Sequence, residues 1–333
     1  MEEEAFKPIL VDLVRQGKRH EVILAHLKKN FGIVIKVATL RKKLKKFGIK
    51  RNDPYIPPAA IANAIELEQS GPGMNAGYRL IHNALRNRHG LFVSQRTVRA
   101  VLSSMRTQRT FEAARKFPWA RCMRYCPGPN YRWSEDGHDK LGKYDIYFHA
   151  CIDEYSRHIM WAKAFVNNRK SEIIGAYYLS ALRKYGVVPV TVVSDFGRES
   201  TMVARFQALF HSTDRNPASH HSWTYSVRNV TIEAWWRRLR QMCTLYWHQE
   251  FIDLEEEGLW TGDIVDRWAL VSVYLPLINS DLDRAVLDHN MHTIRAQKGR
   301  IRPGGQPHDL YNVPEHFGGK RRGRVVSAHV FPQ

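Results

Sequence analysis

The stretch 190-VTVVSDFGRES-200 decides the fold. Val190, Thr191, Val192 and Val193 form a continuous β-branched run, the signature of a strand buried on both faces. Asp195 follows at once, ahead of a turn containing Gly197. In open α/β sheets, ligands and catalytic groups collect at the carboxyl ends of parallel strands, because the strand fixes the backbone while the loop frees the side chain. An aspartate that only shapes the turn before the next helix is the alternative that one carboxylate leaves open.

The chain of 333 residues has room for a catalytic core and one or two small appended domains. Its 44% hydrophobic content is that of an ordinary globular protein. No apolar run approaches the roughly 20 residues a membrane helix needs, and 1-MEEEAFKPIL-10 lacks the pattern of a secretory signal, so a soluble intracellular protein without a membrane partner is expected. The 51 Lys and Arg against 32 Asp and Glu are unevenly spread: residues 1–118 hold 23 basic and 9 acidic side chains, residues 119–333 hold 28 and 23. A basic front half ahead of a nearly balanced remainder points to a polyanion-binding module followed by something else.

Residues 6–50 read as short helices. Ile9, Leu10, Leu13 and Val14 fall at helical spacing, as do Val22, Ile23 and Leu27 before the turn at Asn30-Phe31-Gly32. In 38-ATLRKKLKKFGIK-50, Thr39 is expected to cap a helix with Leu40, Leu44 and Phe47 on one face and Arg41, Lys42, Lys43, Lys45 and Lys46 around the rest. That is the pattern of a helix-turn-helix whose basic second helix lies in a DNA major groove. Asn52-Asp53-Pro54 and Pro57-Pro58 punctuate a linker. A second unit, 76-AGYRLIHNALRNRHGLFVSQRTVRAVLSSM-105, ends in a helix capped by Ser94 or Thr97, with Val98, Val101 and Leu102 inward and Arg96, Arg99 and Arg106 available to phosphates. Its shape resembles the helix-turn-helix that precedes the catalytic domain of several bacterial insertion-sequence transposases.

After Phe117-Pro118-Trp119 the texture changes. Strands are expected at 130–136, 144–152 and 157–165, then a helix over 171–185, the strand 190–195 and a helix near 199–210, which together make a mixed α/β sheet. In 229-NVTIEAWWRRLRQMCTLYW-247, Ile232, Trp235, Trp236, Leu239, Met242, Cys243 and Tyr246 form a helical apolar stripe, with Glu233 in the first turn and Arg237, Arg238 and Arg240 on the other side. Of the four cysteines, Cys122 and Cys126 are close together; zinc held by these two and a histidine such as His138 is the alternative to reduced structural cysteines.

At these residues the chain resembles the retroviral-integrase and DDE-transposase superfamily, and most closely the integrase-core proteins of eukaryotic genomes. The likeness rests on 128-GPNYRWSEDGHDKL-141 (family form GPNYxWHIDGxxKL), 151-CIDEYSRHIMWA-162, 194-SDFGRES-200 and 229-NVTIEAWW-236, in that order, with 37 residues between Asp195 and Glu233. It extends from roughly 119 to 290 and more weakly into 308-HDLY-311. The resemblance implies a ribonuclease-H-like mixed five-stranded sheet with flanking helices, preceded by all-α helix-turn-helix domains. The expected division is helix-turn-helix 1–52, a second helical domain 56–116, catalytic core 119–290 and basic tail 291–333. It also implies that Asp136, Asp195 and Glu233 are catalytic and hold two Mg2+ or Mn2+ ions, one activating a water or DNA 3′-hydroxyl and the other stabilising the leaving oxygen. In that fold Asp136 lies beside Asp195, whereas Asp153 is expected about 25 Å away as a turn residue and Asp145 on the surface.

The implied function is that of a Mg2+-dependent DNA integrase or transposase, hydrolysing a phosphodiester and then joining the freed 3′ end to target DNA, with Arg237, Arg238 and Arg240 on the phosphate backbone. A domesticated, catalytically inactive DNA-binding protein is the second reading, and a stand-alone nuclease the third. The chain departs from the family's NQRIE at Val230 and Thr231, has Ser200 after Glu199, and keeps a late family segment only as 289-HNMHTIRAQKGR-300. The family's action on two DNA ends implies a homo-oligomer, and 246-YWHQEF-251 belongs to an interface or a core. Lys320, Arg321, Arg322 and Arg324 form a basic cluster that reads as a DNA contact, a nuclear-import signal or a solvated tail, and the nucleus is the expected location.

Overall fold

The computed structural model describes residues 3–53, 55–74, 76–105, 126–167, 170–224, 229–296 and 302–326. The chain divides into two compact units, Met1–Met123 and Arg124–Gln333. The expected boundary at Phe117-Pro118-Trp119, Arg106 and Cys122 lie outside the described residues.

The first unit contains α1 (Glu3–Arg15), α2 (His20–Phe31), α3 (Val37–Lys46), α4 (Pro58–Gln69), α5 (Tyr78–Asn87) and α6 (Gln95–Met105). Leu10, Ile23, Leu27, Leu40 and Leu44 build one apolar cluster, and Ile61, Ile65, Ile81, Leu85, Val98 and Leu102 a second. Gly32 closes α2 at φ 67, where a side chain would be strained. Lys36, not Thr39, precedes α3, so Thr39 lies one turn inside the helix. Ser94 is the cap of α6: its Oγ accepts the Thr97 N–H at 3.0 Å. Pro57-Pro58 begins α4 instead of belonging to a linker, because proline has no N–H to lose at the first helical position.

The second unit is built on a five-stranded sheet in the order β3-β2-β1-β5-β6, with β1 (Arg132–Leu141), β2 (Ile146–Asp153), β3 (Ile159–Phe165), β5 (Thr191–Ser194) and β6 (His221–Trp223). A two-stranded ribbon pairs β4 (Val187–Val188) with β7 (Arg324–Val325). β1–β2 and β2–β3 are antiparallel; β1–β5 and β5–β6 are parallel. The helices are α7 (Ser171–Tyr185), α8 (Thr201–Phe210), α9 (Val230–Leu239), α10 (Leu245–Glu256), α11 (Ile264–Met291) and α12 (Pro307–Asn312), with a π-helical turn at Arg240–Thr244 between α9 and α10. This is the ribonuclease-H-like α/β fold expected from the motifs.

Trp133, Ile174, Tyr178, Leu182, Val192 and Val203 fill the core between the sheet and α7–α8. The exposed edge of β3 is closed by α11: Asn279 bonds both backbone groups of Ala164, at 3.0 and 2.9 Å, and Asn290 Oδ1 accepts the Ile159 N–H at 2.9 Å. That pairing removes a free edge that would otherwise recruit another strand. Trp247 and Phe251 are buried, which assigns the aromatics of 246–251 chiefly to the core.

Asp153 ends β2 and shapes the turn that follows it, as expected, but it is buried and closer to Asp136 than expected. It pairs in register with Trp133, three residues or about 10 Å along β1 from Asp136. The expectation of 25 Å failed because Asp136 lies in the middle of β1, where it pairs with Ala150, and so only three residues from the end of β2 at Asp153. Asp153 is fully buried and accepts three hydrogen bonds, from Asn130 N at 2.7 Å, Ser156 N at 2.8 Å and Ser156 Oγ at 2.6 Å. Asn130, held at φ 62, accepts from the Trp133 indole at 3.1 Å and the Tyr311 hydroxyl at 3.0 Å, and its carbonyl takes the Val190 N–H at 2.9 Å. One knot therefore sets the starts of both β1 and β5.

The tail is likewise structured as far as Val326. Lys320 and Arg322 bond through their backbone N–H groups to Pro127 and Pro129, each at 3.0 Å, and β7 follows directly. A Cβ on Gly128 would strike the Lys320 carbonyl, so this close approach requires glycine.

Burial pushes the Asp153 carboxyl up to about 6, against the opposing pull of its Ser156 and Asn130 hydrogen bonds. Its unfolded value is about 3.9, so the native state takes up the proton first. The stability this contributes is full below about pH 4 and lost as pH rises to about 6. Urea unfolding of wild type beside Asp153→Asn is therefore expected to show a stability difference that shifts in favour of wild type between pH 6 and pH 4 and stays constant above pH 7; a difference that does not vary with pH would contradict it.

Candidate active site

Asp136 and Asp195 are neighbours because of the register of two parallel strands. Trp133 pairs with Val192 and Ser134 with Val193. Two residues further, Asp136 on β1 stands level with Asp195 just beyond β5, on strands about 4.8 Å apart. Glu233 comes from the first turn of α9, and side chains tie that helix to β1. Asn229 Nδ2 donates to the Glu135 carbonyl at 3.1 Å, and the Trp236 indole donates to Asp136 Oδ2 at 3.0 Å. Trp236 also stacks on His138 of β1, with ring centroids 4.9 Å apart. The apolar stripe of α9, Ile232, Trp235, Trp236 and Leu239, is buried as its spacing predicts.

Three carboxylates at one end of a sheet repel one another. Burial pushes Asp136 up to about 7; the Trp236 hydrogen bond opposes that shift, and the charges of Asp195 and Glu233 add to it. Asp195 is raised by burial and by Glu135, and Glu199 by burial, Asp195, Glu135 and Asp139. The oxygens of Asp136, Asp195 and Glu233 do not all lie within 4.8 Å of one another. The donor set is hard oxygen throughout, the ligand type that Mg2+ and Mn2+ take.

Several features have no counterpart in the sequence-based expectations. Where the family form has isoleucine, this chain has Glu135, fully buried, with no hydrogen-bond partner on either carboxylate oxygen and His221 Nε2 at 3.8 Å. Where the family motif has arginine, Thr231 accepts instead from the Arg302 guanidinium at 2.8 Å, and Arg302 also meets buried Glu154 at 3.3 Å. A guanidinium is thus supplied from a distant segment to the start of α9. Its only sequence signal was the Arg-to-Thr change at 231.

The basic residues divide. Arg41, Lys42, Lys45 and Lys46 on α3 are exposed, while Lys43 is half-buried with its ammonium 5.2 Å from the centre of the Phe6 ring. Arg96 and Arg99 on α6 are exposed, Arg99 over Tyr78 at 5.8 Å. Arg237 and Arg240 are exposed, but Arg238 is not available in the way the sequence suggested. It turns inward toward Asp288 of α11, and burial draws its value down to about 10 although Asp288 pulls the other way. The helix turns 100° per residue, so three nearby arginines cannot all share one face. Asp145, expected at the surface, is partly exposed and pairs with Arg267 at 2.9 Å. Of the zinc alternative, Cys122 lies outside the described residues, Cys126 packs with Tyr155 and Leu310, and His138 stacks on Trp236.

Comparison with known proteins identifies the domain that carries these residues. The profile of the family described as Integrase core domain matches residues 124–312, more than half of the chain. Comparison with curated proteins gave no match. Among solved structures, the intasome of simian T-cell lymphotropic virus in complex with the PP2A regulatory subunit B56 gamma matches at 14% sequence identity and a TM-score of 0.36, over 75% of this chain and 74% of that one. The chain, with its mixed five-stranded sheet, belongs to the integrase core domain family.

Proposed function

We propose that the protein is a DNA integrase or transposase that hydrolyses a phosphodiester and then transfers the freed 3′ end to target DNA, with Asp136, Asp195 and Glu233 as its catalytic carboxylates. The observation that carries this reading is the convergence of these three side chains from β1, the end of β5 and the first turn of α9, with the charges of the other two raising Asp136. Asp136, Asp195 and Glu233 would hold two Mg2+ or Mn2+ ions, which when bound supply Lewis acidity to phosphate oxygens. Trp236 fixes the orientation of Asp136, and the end of a buried strand fixes that of Asp195. Asn229 and Arg302 hold the start of α9, and so Glu233, against the sheet.

Duplex DNA is the partner that the charge supports. Arg41, Lys42, Lys45 and Lys46 present an exposed basic face on α3, Arg96 and Arg99 another on α6, and Arg237 and Arg240 could meet the backbone beside the carboxylates. Helix-turn-helix binding by both helical groups is part of the proposal. A homo-oligomer is too: Val265, Val273 and Leu277 are exposed apolar side chains on neighbouring parts of α11. Among the described residues no helix is long and apolar enough to cross a membrane. Exposed Lys320, Arg321 and Arg322 support a nuclear location, with Arg324 already engaged by Asp214 at 2.7 Å.

Two measurements test the reading. Purified protein is expected to nick supercoiled plasmid in Mn2+ or Mg2+, and Asp195→Asn and Glu233→Gln each to lose about a hundredfold or more of that activity while remaining folded. Full activity in either variant would contradict the assignment, and DNA binding without nicking by wild type would favour a non-enzymatic DNA-binding role. Replacing Lys42 and Lys45 by alanine is expected to weaken duplex binding and to reduce the salt slope by about one for each phosphate no longer neutralised; an unchanged slope would remove α3 from the interface.

A further inference from the structure

The first unit holds one motif twice. Residues 20–47 and 78–105 align without a gap at a constant offset of 58 positions. Ile23, Leu27, Gly32, Thr39, Arg41 and Leu44 recur as Ile81, Leu85, Gly90, Thr97, Arg99 and Leu102. The structure keeps the same register: α2 starts at His20 and α5 at Tyr78, α3 at Val37 and α6 at Gln95. Gly32 and Gly90 both turn the chain after the helix, at φ 67 and φ 64. The next residue in each copy returns its N–H to the matching leucine carbonyl, Ile33 to Leu27 at 3.1 Å and Leu91 to Leu85 at 2.9 Å. Ile23, Leu27, Leu40 and Leu44 are buried in the first copy, and their counterparts Ile81, Leu85, Val98 and Leu102 in the second. A shared core, turn and helix start at one spacing make these two copies of one helix-turn-helix.

The copies differ on one face. A helix turns about 100° per residue, so Gln95, Arg96, Arg99, Ala100 and Ser103 share the exposed side of α6, opposite buried Val98 and Leu102. The equivalent positions of α3 hold Val37, Ala38, Arg41, Lys42 and Lys45. Of these five, only the arginine is common. Residues that both copies keep serve what every duplex shares, the phosphate backbone; residues that differ can read what differs, the bases. The differences have a direction. In α3 they are lysines, compact point charges on flexible stems that suit phosphates. In α6 they include a guanidinium and a carboxamide, the groups that match a single base edge with two hydrogen bonds, guanine for arginine and adenine for glutamine. Gln95 and Arg96 stand in the first turn of α6, the part of a recognition helix that reaches the bases. Ala100 and Ser103 on the same face are small enough to let the helix come close to the groove floor.

We propose that α6 is the sequence-reading helix of this protein and that α3, its counterpart in the other copy, is a sequence-independent clamp. Arg96 takes the O6 and N7 of a guanine, Gln95 the N6 and N7 of an adenine, and Ala100 lies against the groove where a thymine methyl projects. Arg41, Lys42, Lys45 and Lys46 of α3 neutralise phosphates and raise affinity for every duplex alike. The inference rests on the reading of both helical groups as DNA-binding, and adds which of them chooses the DNA.

Selection from a library of duplexes with a randomised centre, using the full-length protein and sequencing the retained DNA, tests this division of labour. Wild type is expected to enrich a short motif containing a guanine and an adenine. Arg96→Ala should erase the guanine preference and Gln95→Ala the adenine preference, each lowering discrimination at its own position by roughly tenfold and leaving the rest of the motif in place. Lys42→Ala combined with Lys45→Ala should select the same motif but bind every sequence more weakly and with a smaller salt dependence. All four positions are exposed, so the variants are expected to melt as wild type does. A motif unchanged in both Arg96→Ala and Gln95→Ala, or one altered by the lysine substitutions, would overturn the proposal. Wild type that retains all sequences equally would overturn it too, while leaving the DNA-binding reading intact. Wild type that retains no duplex at all would overturn that reading and the proposal with it.

Discussion

Three carboxylates on three separate elements must be held at one end of the sheet although they repel. Burial and the charges of Asp195 and Glu233 raise the Asp136 carboxyl, so a rigid frame has to impose the arrangement. The parallel register of β1 and β5 brings Asp136 level with Asp195. Asn229, Trp236 and the Trp236–His138 stack then fasten α9, which carries Glu233, to β1. Trp236 does more than position: its indole N–H donates to the Asp136 carboxylate and opposes the upward pull of burial on that group.

The frame itself depends on groups remote from the chemistry. Asp153 and Asn130 knot together the turn before β1, the loop after β2, the start of β5 and Tyr311 of α12. Such a buried polar knot costs desolvation and is held only because its hydrogen bonds are nearly all made. At the other end of β5, His211, Asp214 and His220 gather where the chain turns into the sheet, and Arg324 of β7 joins them. The strand that carries Asp195 is thereby anchored by polar clusters around an apolar core.

Much of this was legible in the sequence because the strongest signals are periodic or punctuated. The helix over 171–185 and the buried strand before Asp195 appear where apolar spacing placed them, and the four motifs led to the three carboxylates that the fold brings to one end of the sheet. What escaped has physical reasons. β6 is three residues long, too short for alternation to show. The apolar positions of α11 are divided between a buried face and an exposed one, which blurs its period. Thr39 is a good cap by type, but helix α3 begins one turn earlier. Arg238 reads as a phosphate contact until α11 presents Asp288 to it. The Thr231–Arg302 and His211–Asp214–His220 contacts join side chains through tertiary structure or a turn, and no spacing rule announces them.

The central claim is that Asp136, Asp195 and Glu233 act as one cation-binding centre. It is tested most directly by Mn2+ binding to the full-length protein, followed by electron paramagnetic resonance of the free ion, in wild type, Asp136→Asn, Asp195→Asn and Glu233→Gln. The account predicts that each single substitution weakens the same binding event, and that combining two adds less than the sum of their separate effects. Wild-type affinity for Mn2+ in Glu233→Gln, or purely additive losses, would show that the three carboxylates do not share an ion.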